Sequence, residues 1–328
     1  MSAASQRPEL RFPLVENGLD YLVDVVDRLA TGPGELPDAR ALKYAVLHLQ
    51  AAAEVFLKAR LQREHWTLVF KKPETATREA FDSADFDSCT TEEAFTRLTQ
   101  IAGLDLPKKA GGALTKLAQD RNALQHYGLT ALAAVVEDHA VNVLNFLLPF
   151  ISDHLLPSLD AAQRAEAALP LAHVRGQLRR IEGYLTKRMN ELSTELKDVQ
   201  DRTVTCPDCE RRALVLGGNP ASCRFCLKLW DPEGAAGDYT WQLYGMDPLL
   251  PGHGAAEEYV CPECEAQAVV TAVTAAVPDR ATILCFACAT DFTGTFFVLC
   301  AEGCSRAVPK DSGDPVCPDC TGSAPGRF

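Results

Sequence analysis

Cysteine spacing is the feature that most constrains the fold of this chain. Twelve of its 13 cysteines lie after residue 205. They form three quartets with paired spacing: Cys206, Cys209, Cys223 and Cys226; Cys261, Cys264, Cys285 and Cys288; and Cys300, Cys304, Cys317 and Cys320. Each quartet predicts two knuckles joined by a short β-hairpin, which places four thiolates tetrahedrally around Zn²⁺. The sequence therefore predicts three zinc ribbons.

These predicted zinc sites are structural. Four thiolates fill the coordination sphere and leave no position for water or substrate, which disfavours a zinc enzyme. Modules this small bury little core, so metal binding supplies much of their folding energy. Thiolate ligands favour zinc, with iron as a substitute metal. Linear pairing is the simplest assignment, and exchange of Cys288 and Cys300 between the second and third sites is the alternative.

The part before residue 157 has the pattern of an antiparallel bundle of four or five helices. Asp38 is a predicted N-cap, and Thr90 with Glu93 forms a predicted capping box. Gly128 is placed to end a helix. Apolar periodicity predicts helices over 14–30, 38–64, 90–101, 108–125 and 130–151. The last is apolar nearly all round and broken by Pro149, so it is predicted to be a core helix and not a membrane span.

One short motif in this bundle carries chemistry, the stretch Arg121-Asn122-Ala123-Leu124-Gln125-His126. Imidazole titrates near neutral pH, so His126 can act as a general base or acid. The guanidinium of Arg121 can hold a phosphate as negative charge builds. Asn122 would orient the histidine or the phosphate, and Gln125 and Tyr127 would line the site. This combination suits metal-independent RNA cleavage.

The geometry of an uninterrupted α-helix opposes this interpretation. Residues five apart point about 140° away from each other at 3.6 residues per turn. The helix must therefore end near Gly128, or two copies of the motif must meet across a twofold axis. The competing structural interpretation pairs Arg121 with Asp120 or Glu137 and makes His126 a cation at a helix end.

A helical bundle carrying R-N-x3-H between its last two major helices resembles the HEPN family of prokaryotic ribonucleases. Arg121, Asn122 and His126 match the family motif, and the resemblance covers roughly residues 10–155. It implies a metal-independent endoribonuclease of toxin–antitoxin, phage-defence or RNA-maturation systems. It also implies a homodimer with a composite site that leaves 2′,3′-cyclic phosphate and 5′-hydroxyl ends. Tyr127 follows His126 directly, whereas some family members carry a modified tyrosine one place later.

A seam of apolar residues follows the bundle and predicts a long, coiled-coil-like helix within 157–202. Two arrangements are open: the seam packs against the same seam of a second copy in a dimer, or it folds back onto the helical bundle of its own chain. The seam consists of Val174, Leu178, Ile181, Leu185, Met189, Leu192, Leu196 and Val199.

Charge limits the possible partners. The net charge is −12, and residues 203–328 carry eight basic against sixteen acidic side chains. Because the predicted zinc-ribbon region is acidic, it would repel the phosphates of a nucleic acid. Recognition of a protein, or gating of the substrate, is therefore favoured over general RNA binding.

Residues 1–13 contain no apolar segment, so no signal peptide and a cytoplasmic location are expected. Cys89, alone in a polar loop, has no activating partner in the sequence.

Together these features predict a two-part chain: an all-α, HEPN-like domain with a long helical arm, then small β zinc ribbons. The predicted function is a homodimeric endoribonuclease, a toxin or antiviral defence effector, with RNA as substrate and an antitoxin or other protein as partner. The alternative is a non-catalytic dimeric adaptor that presents its ribbons to a protein or nucleic acid. The predicted domains are 1–156, 157–202, 203–250, 251–294 and 295–328.

Overall fold

A computed structural model describes residues 11–32, 35, 37–244, 259–293, 297–299, 307–309, 316 and 320. The chain divides into two compact units, Met1–Arg188 and Met189–Phe328. The first unit is helical, and the second contains the described β-strands.

Helix α2 is the centre of the first unit, because α1, α4, α5 and α6 all pack against it. Its alanines and large apolar residues alternate around the buried face, and Phe56 and Leu57 are fully buried. Gly18 of α1 crosses α2 so closely that a β-carbon there would lie 2.7 Å from Cε1 of Phe56. The helices are α1 (Leu14–Leu29), α2 (Ala39–Glu64), α3 (Arg78–Ser83), α4 (Thr91–Gln100), α5 (Lys108–Asn122), α6 (Ala133–Phe150), α7 (Ala161–Leu178) and α8 (Glu182–Glu195).

Two of the predicted helix starts are confirmed in atomic detail. Asp38 accepts a hydrogen bond from the Ala41 amide at 2.7 Å. Thr90 and Glu93 form the full capping box: the Thr90 hydroxyl accepts from the Glu93 amide, and the Glu93 carboxylate accepts from the Thr90 amide. Both caps satisfy backbone donors that the first helical turn leaves unpaired.

The apolar helix α6 is a core helix, as predicted. Val143, Leu144 and Leu147 are fully buried, and α6 packs against α2 and α5. The stretch Ala133–Ser158 is long and apolar enough to cross a membrane by composition, but 56% of its most apolar window is buried within the protein. Such burial is what the central helix of a bundle shows.

The prediction of one long helix within 157–202 is wrong, because the chain forms two helices, α7 and α8, with a break at residues 179–181. There the amides of Arg180 and Ile181 bond three residues back, to Gln177 and Leu178. The tighter turn ends the α-helical pattern. In the first unit the seam folds back: Val174 and Leu178 are buried, and α7 packs on α1.

The second unit contains small antiparallel sheets. The first has four strands in sequential order, β1 (Thr203–Thr205), β2 (Arg212–Val215), β3 (Ala221–Cys223) and β4 (Leu229–Trp230). Helix α9 (Pro232–Tyr244) packs on the second sheet, which contains β5 (Tyr259–Val260), β6 (Gln267–Ala272) and β7 (Thr282–Cys285). A third pair joins β8 (Phe297–Leu299) to β9 (Ala307–Pro309).

Candidate metal centres and candidate catalytic surface

The first two cysteine quartets each converge in space. Within each quartet the four sulfurs lie within 4.8 Å of one another. The Sγ atoms of Cys206 and Cys226 are 3.9 Å apart, and those of Cys209 and Cys223 are 3.6 Å apart. In the second quartet, Cys261–Cys288 and Cys264–Cys285 both measure 3.7 Å.

These distances fit a tetrahedral metal. Four sulfurs placed about 2.3 Å from a central zinc are separated by about 3.8 Å, whereas a disulfide brings two sulfurs to about 2.05 Å. The linear pairing predicted for these two quartets is therefore the one the structure brings together. The third quartet lies outside the described residues except for Cys320, so the predicted third site and any exchange of Cys300 are outside the described part of the chain.

All four described knuckles share one backbone geometry. The carbonyl of each first cysteine accepts the amide four residues on, and its own amide donates to the carbonyl five residues on. The residue after each second cysteine then has positive φ: 60° at Glu210, 61° at Leu227, 63° at Glu265 and 59° at Ala289. None is a glycine, although this conformation costs an L-residue about 1–2 kcal/mol. Sequence reasoning missed this repeat, since no glycine marks it.

The two quartets differ in exposure. All four thiols of the first are buried, whereas Cys264 is exposed and Cys288 half-buried in the second. Burial raises the pKa of Cys261 to about 11. Burial would also raise the pKa of Cys288, but hydrogen bonds from the hydroxyl and backbone of Thr290 outweigh it and lower the pKa to about 7. Metal binding must displace protons from such thiols, so it is pH-dependent.

The predicted catalytic motif lies at the end of α5, where the helix changes type. Residues Ala123–Tyr127 form a π-helix, which hydrogen-bonds residues five apart and widens the turn. Among the contacts of the described residues, none joins His126 to Arg121. Gly128 ends the helix with φ of 79°, as its position predicts, but with ψ of 151°.

The motif residues are accessible to solvent. Asn122, Gln125, His126 and Tyr127 are exposed, and Tyr127 is 88% exposed. The Arg121 Nη1 donates to the Asn122 Oδ1 at 2.7 Å. The rings of His126 and Tyr127 are 6.1 Å apart between centroids. Arg121 and Asn122 line a cavity between α2, α4 and α5, whereas Gln125, His126 and Tyr127 lie outside its lining.

The ion pair proposed between Arg121 and Asp120 is absent among the described residues. Asp120 is instead joined to His139 of α6, with Nδ1 and Oδ2 2.7 Å apart. The pair is mostly buried and ties α5 to α6. A carboxylate on Nδ1 fixes the tautomer of an imidazole, so His139 is a second histidine beside the motif that the sequence did not single out.

An exposed apolar segment follows the motif directly. Residues 131–135 are all exposed, including Leu132 at 76% and Val135 at 47%. We call these residues and the exposed Tyr127 the 127–135 patch. Patches of this kind on soluble proteins mark interaction sites.

Cys89 is not a reactive thiol. It is 1% exposed, and burial raises its pKa. Its amide donates to the Val69 carbonyl, so the residue serves to pack the loop before α4.

Comparison of the chain with protein-family models, with curated proteins and with solved structures finds no match. The assignment of function therefore depends on the geometry above and on the resemblance of the motif.

Proposed function

We propose that this protein is a metal-independent endoribonuclease that acts as a homodimer and resembles the HEPN class of toxins and defence effectors. The observation that carries the proposal is the exposed R-N-x3-H motif on a π-helical turn. Single π-turns are rare in helices and occur often at functional sites. A π-turn over residues 123–127 also makes the angular separation of Arg121 and His126 smaller than the 140° of a continuous α-helix.

In this proposal Arg121 binds the scissile phosphate and stabilises the charge of the pentavalent transition state. His126 takes the proton of the ribose 2′-hydroxyl or delivers one to the leaving 5′-oxygen. The 2′-oxygen attacks phosphorus and the bond to the 5′-oxygen breaks, which leaves a 2′,3′-cyclic phosphate and a 5′-hydroxyl. The Asn122 side chain accepts a hydrogen bond from Arg121 and so holds the guanidinium in place. Gln125 and Tyr127 flank the histidine and would contact the RNA.

The proposed partner across the motif is a second copy of the chain, seated on the 127–135 patch. A twofold axis through this patch would bring both copies of Arg121 and His126 to one composite site. Leu132→Glu is expected to yield monomers and to abolish cleavage. Leu169→Glu is the matched control, because Leu169 is 82% exposed and belongs to a different helix, α7. Light scattering after size exclusion measures the mass, and a dimer that survives Leu132→Glu contradicts this arrangement.

The cysteine quartets are proposed to hold zinc as structural ribbons, with no role in the chemistry, and a cytoplasmic location is proposed with them. The ribbon region is acidic, and two large apolar side chains, Leu229 at 61% and Trp241 at 57%, are exposed there. These exposed side chains favour a protein such as an antitoxin as the ribbons' partner. They also support the second candidate function, a dimeric adaptor whose Arg121 and His126 are not catalytic.

The decisive experiment is cleavage of total RNA by the purified full-length protein without added divalent metal. We expect product with 2′,3′-cyclic phosphate ends from the wild type and at least a hundredfold less from Arg121→Ala or His126→Ala, the order of loss for a removed acid–base group. Arg164→Ala and His65→Ala are the controls, because both residues are exposed and distant from the motif in sequence. Intact RNA throughout, or equal cleavage by all variants, supports the adaptor instead.

A further inference from the structure

Two exposed cations and an aromatic ring meet in the first turns of α2. The guanidinium carbon of Arg40 lies 5.2 Å from the centre of the Tyr44 ring, and the Lys43 ammonium lies 5.7 Å from it. Arg40 and Lys43 are exposed, and Tyr44 is half-buried. The ring attracts both cations and so favours positions beside it for two otherwise flexible side chains. We call these three residues the α2 basic surface.

No ion pair in the described part of the chain neutralises this surface. Arg28 of α1 also lies against the same ring, at 5.2 Å, but Asp24 accepts two hydrogen bonds from its guanidinium. Arg40 and Lys43 form no ion pair with any carboxylate of the residues that the structure describes. Asp38, two positions before Arg40, accepts a backbone amide as the cap of α2. Neighbouring cations without partners repel each other, so an anion bound here would offset that repulsion.

The directions of the helices bring the end of α5 toward the start of α2. Helix α4 begins beside Gln50, whose amide donates to its first residue, and Arg97 of α4 donates to backbone carbonyls that follow the end of α2. Helix α4 therefore runs in the same direction as α2. A β-carbon on Gly111 of α5 would lie 3.4 Å from the ring of Phe95 in α4, whereas Arg121 lines the cavity beside Gln50. Helix α5 therefore runs in the opposite direction, and its motif-bearing end points toward the first turns of α2.

Lys43 faces the side of α2 that carries the cavity with Arg121. Lys43 and Gln50 are seven residues apart, so on an α-helix they point within about 20° of each other and lie about 10 Å apart along its axis. Gln50 lines that cavity together with Arg121. Arg40 lies about one turn further toward the start of the helix. The path from the motif along α2 therefore leads to Lys43 and then to Arg40.

The partner that fits this path is a phosphate backbone. Residues 1–188, the first unit, carry 22 basic against 24 acidic side chains, so most of the chain's net charge of −12 belongs to the second unit. We propose that the α2 basic surface binds the RNA strand beside the cleaved bond, with Arg40 and Lys43 each contacting one phosphate. This inference rests on the proposed ribonuclease function. It assigns no base preference, because phosphate contacts carry no sequence information.

The first test measures RNA binding and needs no activity. The probe is a fluorescent single-stranded RNA of mixed sequence with 2′-O-methyl groups, which has no 2′-hydroxyl to attack phosphorus and so stays intact. Anisotropy gives its affinity for the full-length protein between about 50 and about 200 mM salt. We expect the double variant Arg40→Ala/Lys43→Ala to bind about tenfold more weakly at the lowest salt. The slope of log affinity against log salt should fall by about 1.4, because each contact to a single strand contributes about 0.7.

The matched control is Lys71→Ala/Lys72→Ala, which removes the same charge from two exposed lysines beyond the other end of α2. It should leave the slope unchanged. A slope that is equal in the wild type and in Arg40→Ala/Lys43→Ala overturns the α2 basic surface, as does an equal change in the control or a wild type that does not bind the probe.

The second test uses the wild type alone, so it does not depend on whether a variant folds. Photocrosslinking to the same RNA carrying 5-iodouridine should label the tryptic peptide 44–58, which begins with Tyr44. Crosslinks confined to other peptides overturn the surface. Cleavage of RNA by the wild type, with unchanged binding in Arg40→Ala/Lys43→Ala, removes the surface while the nuclease stands. Binding that depends on Arg40 and Lys43, without cleavage of any RNA, supports the surface and refutes the nuclease.

Discussion

Gly217→Ala is expected to weaken the second candidate metal centre, although Gly217 lies in the bend after β2 of the first sheet. The residue follows β2 with φ of 80°, and a β-carbon there would meet the Ala289 Cβ at 3.0 Å. Ala289 follows the candidate ligand Cys288 and itself has φ of 59°. Any displacement of Ala289 therefore moves a ligand-bearing knuckle.

The magnitude follows from two costs. The left-handed backbone costs an alanine about 1–2 kcal/mol, and a contact this tight in a packed interior adds about 1–3 kcal/mol. If the steric part falls wholly on the metal site, it lowers the affinity by about 5- to 150-fold, since 1.4 kcal/mol is a factor of ten.

Gly103→Ala separates these two costs. Gly103 has φ of 67°, but nothing lies within 4 Å of a β-carbon built there. It should show the backbone cost alone, in the helical unit, with metal retention unchanged. Metal release to a chromogenic chelator and urea denaturation measure both variants. If Gly217→Ala and Gly103→Ala lose the same stability and release metal at the same rate, the added β-carbon at position 217 does not disturb Ala289, and the reasoning is refuted.

Two further predictions concern metal removal and pH. Because Cys264 is exposed and Cys288 half-buried, a chelator should free the second quartet before the first, and alkylation with mass spectrometry should label Cys264 first. Burial alone would raise the pKa of Asp24, but hydrogen bonds from Arg28 and His48 outweigh it and hold that pKa below its usual value. The ionised carboxylate therefore stabilises the fold above about pH 3.9, its usual pKa, and this contribution is lost as pH falls further. Asp24→Asn should cost about 1 kcal/mol or less at pH 7, since the pair is a third exposed. The difference from wild type should shrink in urea titrations as the pH falls below about 3.9, and a difference that stays constant as the pH falls further contradicts the assignment.

Local signals in the sequence were sufficient for much of the fold. Asp38, Thr90 and Glu93 are caps whose hydrogen bonds involve residues at most three positions away, so each could be located from a short window. The same holds for the cysteine pairs, since a knuckle closes within six residues. The grouping of knuckles into the first two quartets followed from their order along the chain.

What the sequence by itself determined are the features set by short-range chemistry: the helix caps, the core character of α6 and the two convergent thiol clusters. Only the tertiary structure decided the rest, because it depends on partners distant in the chain. The break between α7 and α8 coincides with a hydrogen bond from Thr31 to Arg180, which lies 149 positions away. Asp120 pairs with His139 of α6 and not with Arg121, whose guanidinium instead donates a hydrogen bond to Asn122. The Gln50 amide of α2 donates to the hydroxyl of Thr91 in α4, 41 positions further along the chain, and no periodicity in the sequence marks such a contact.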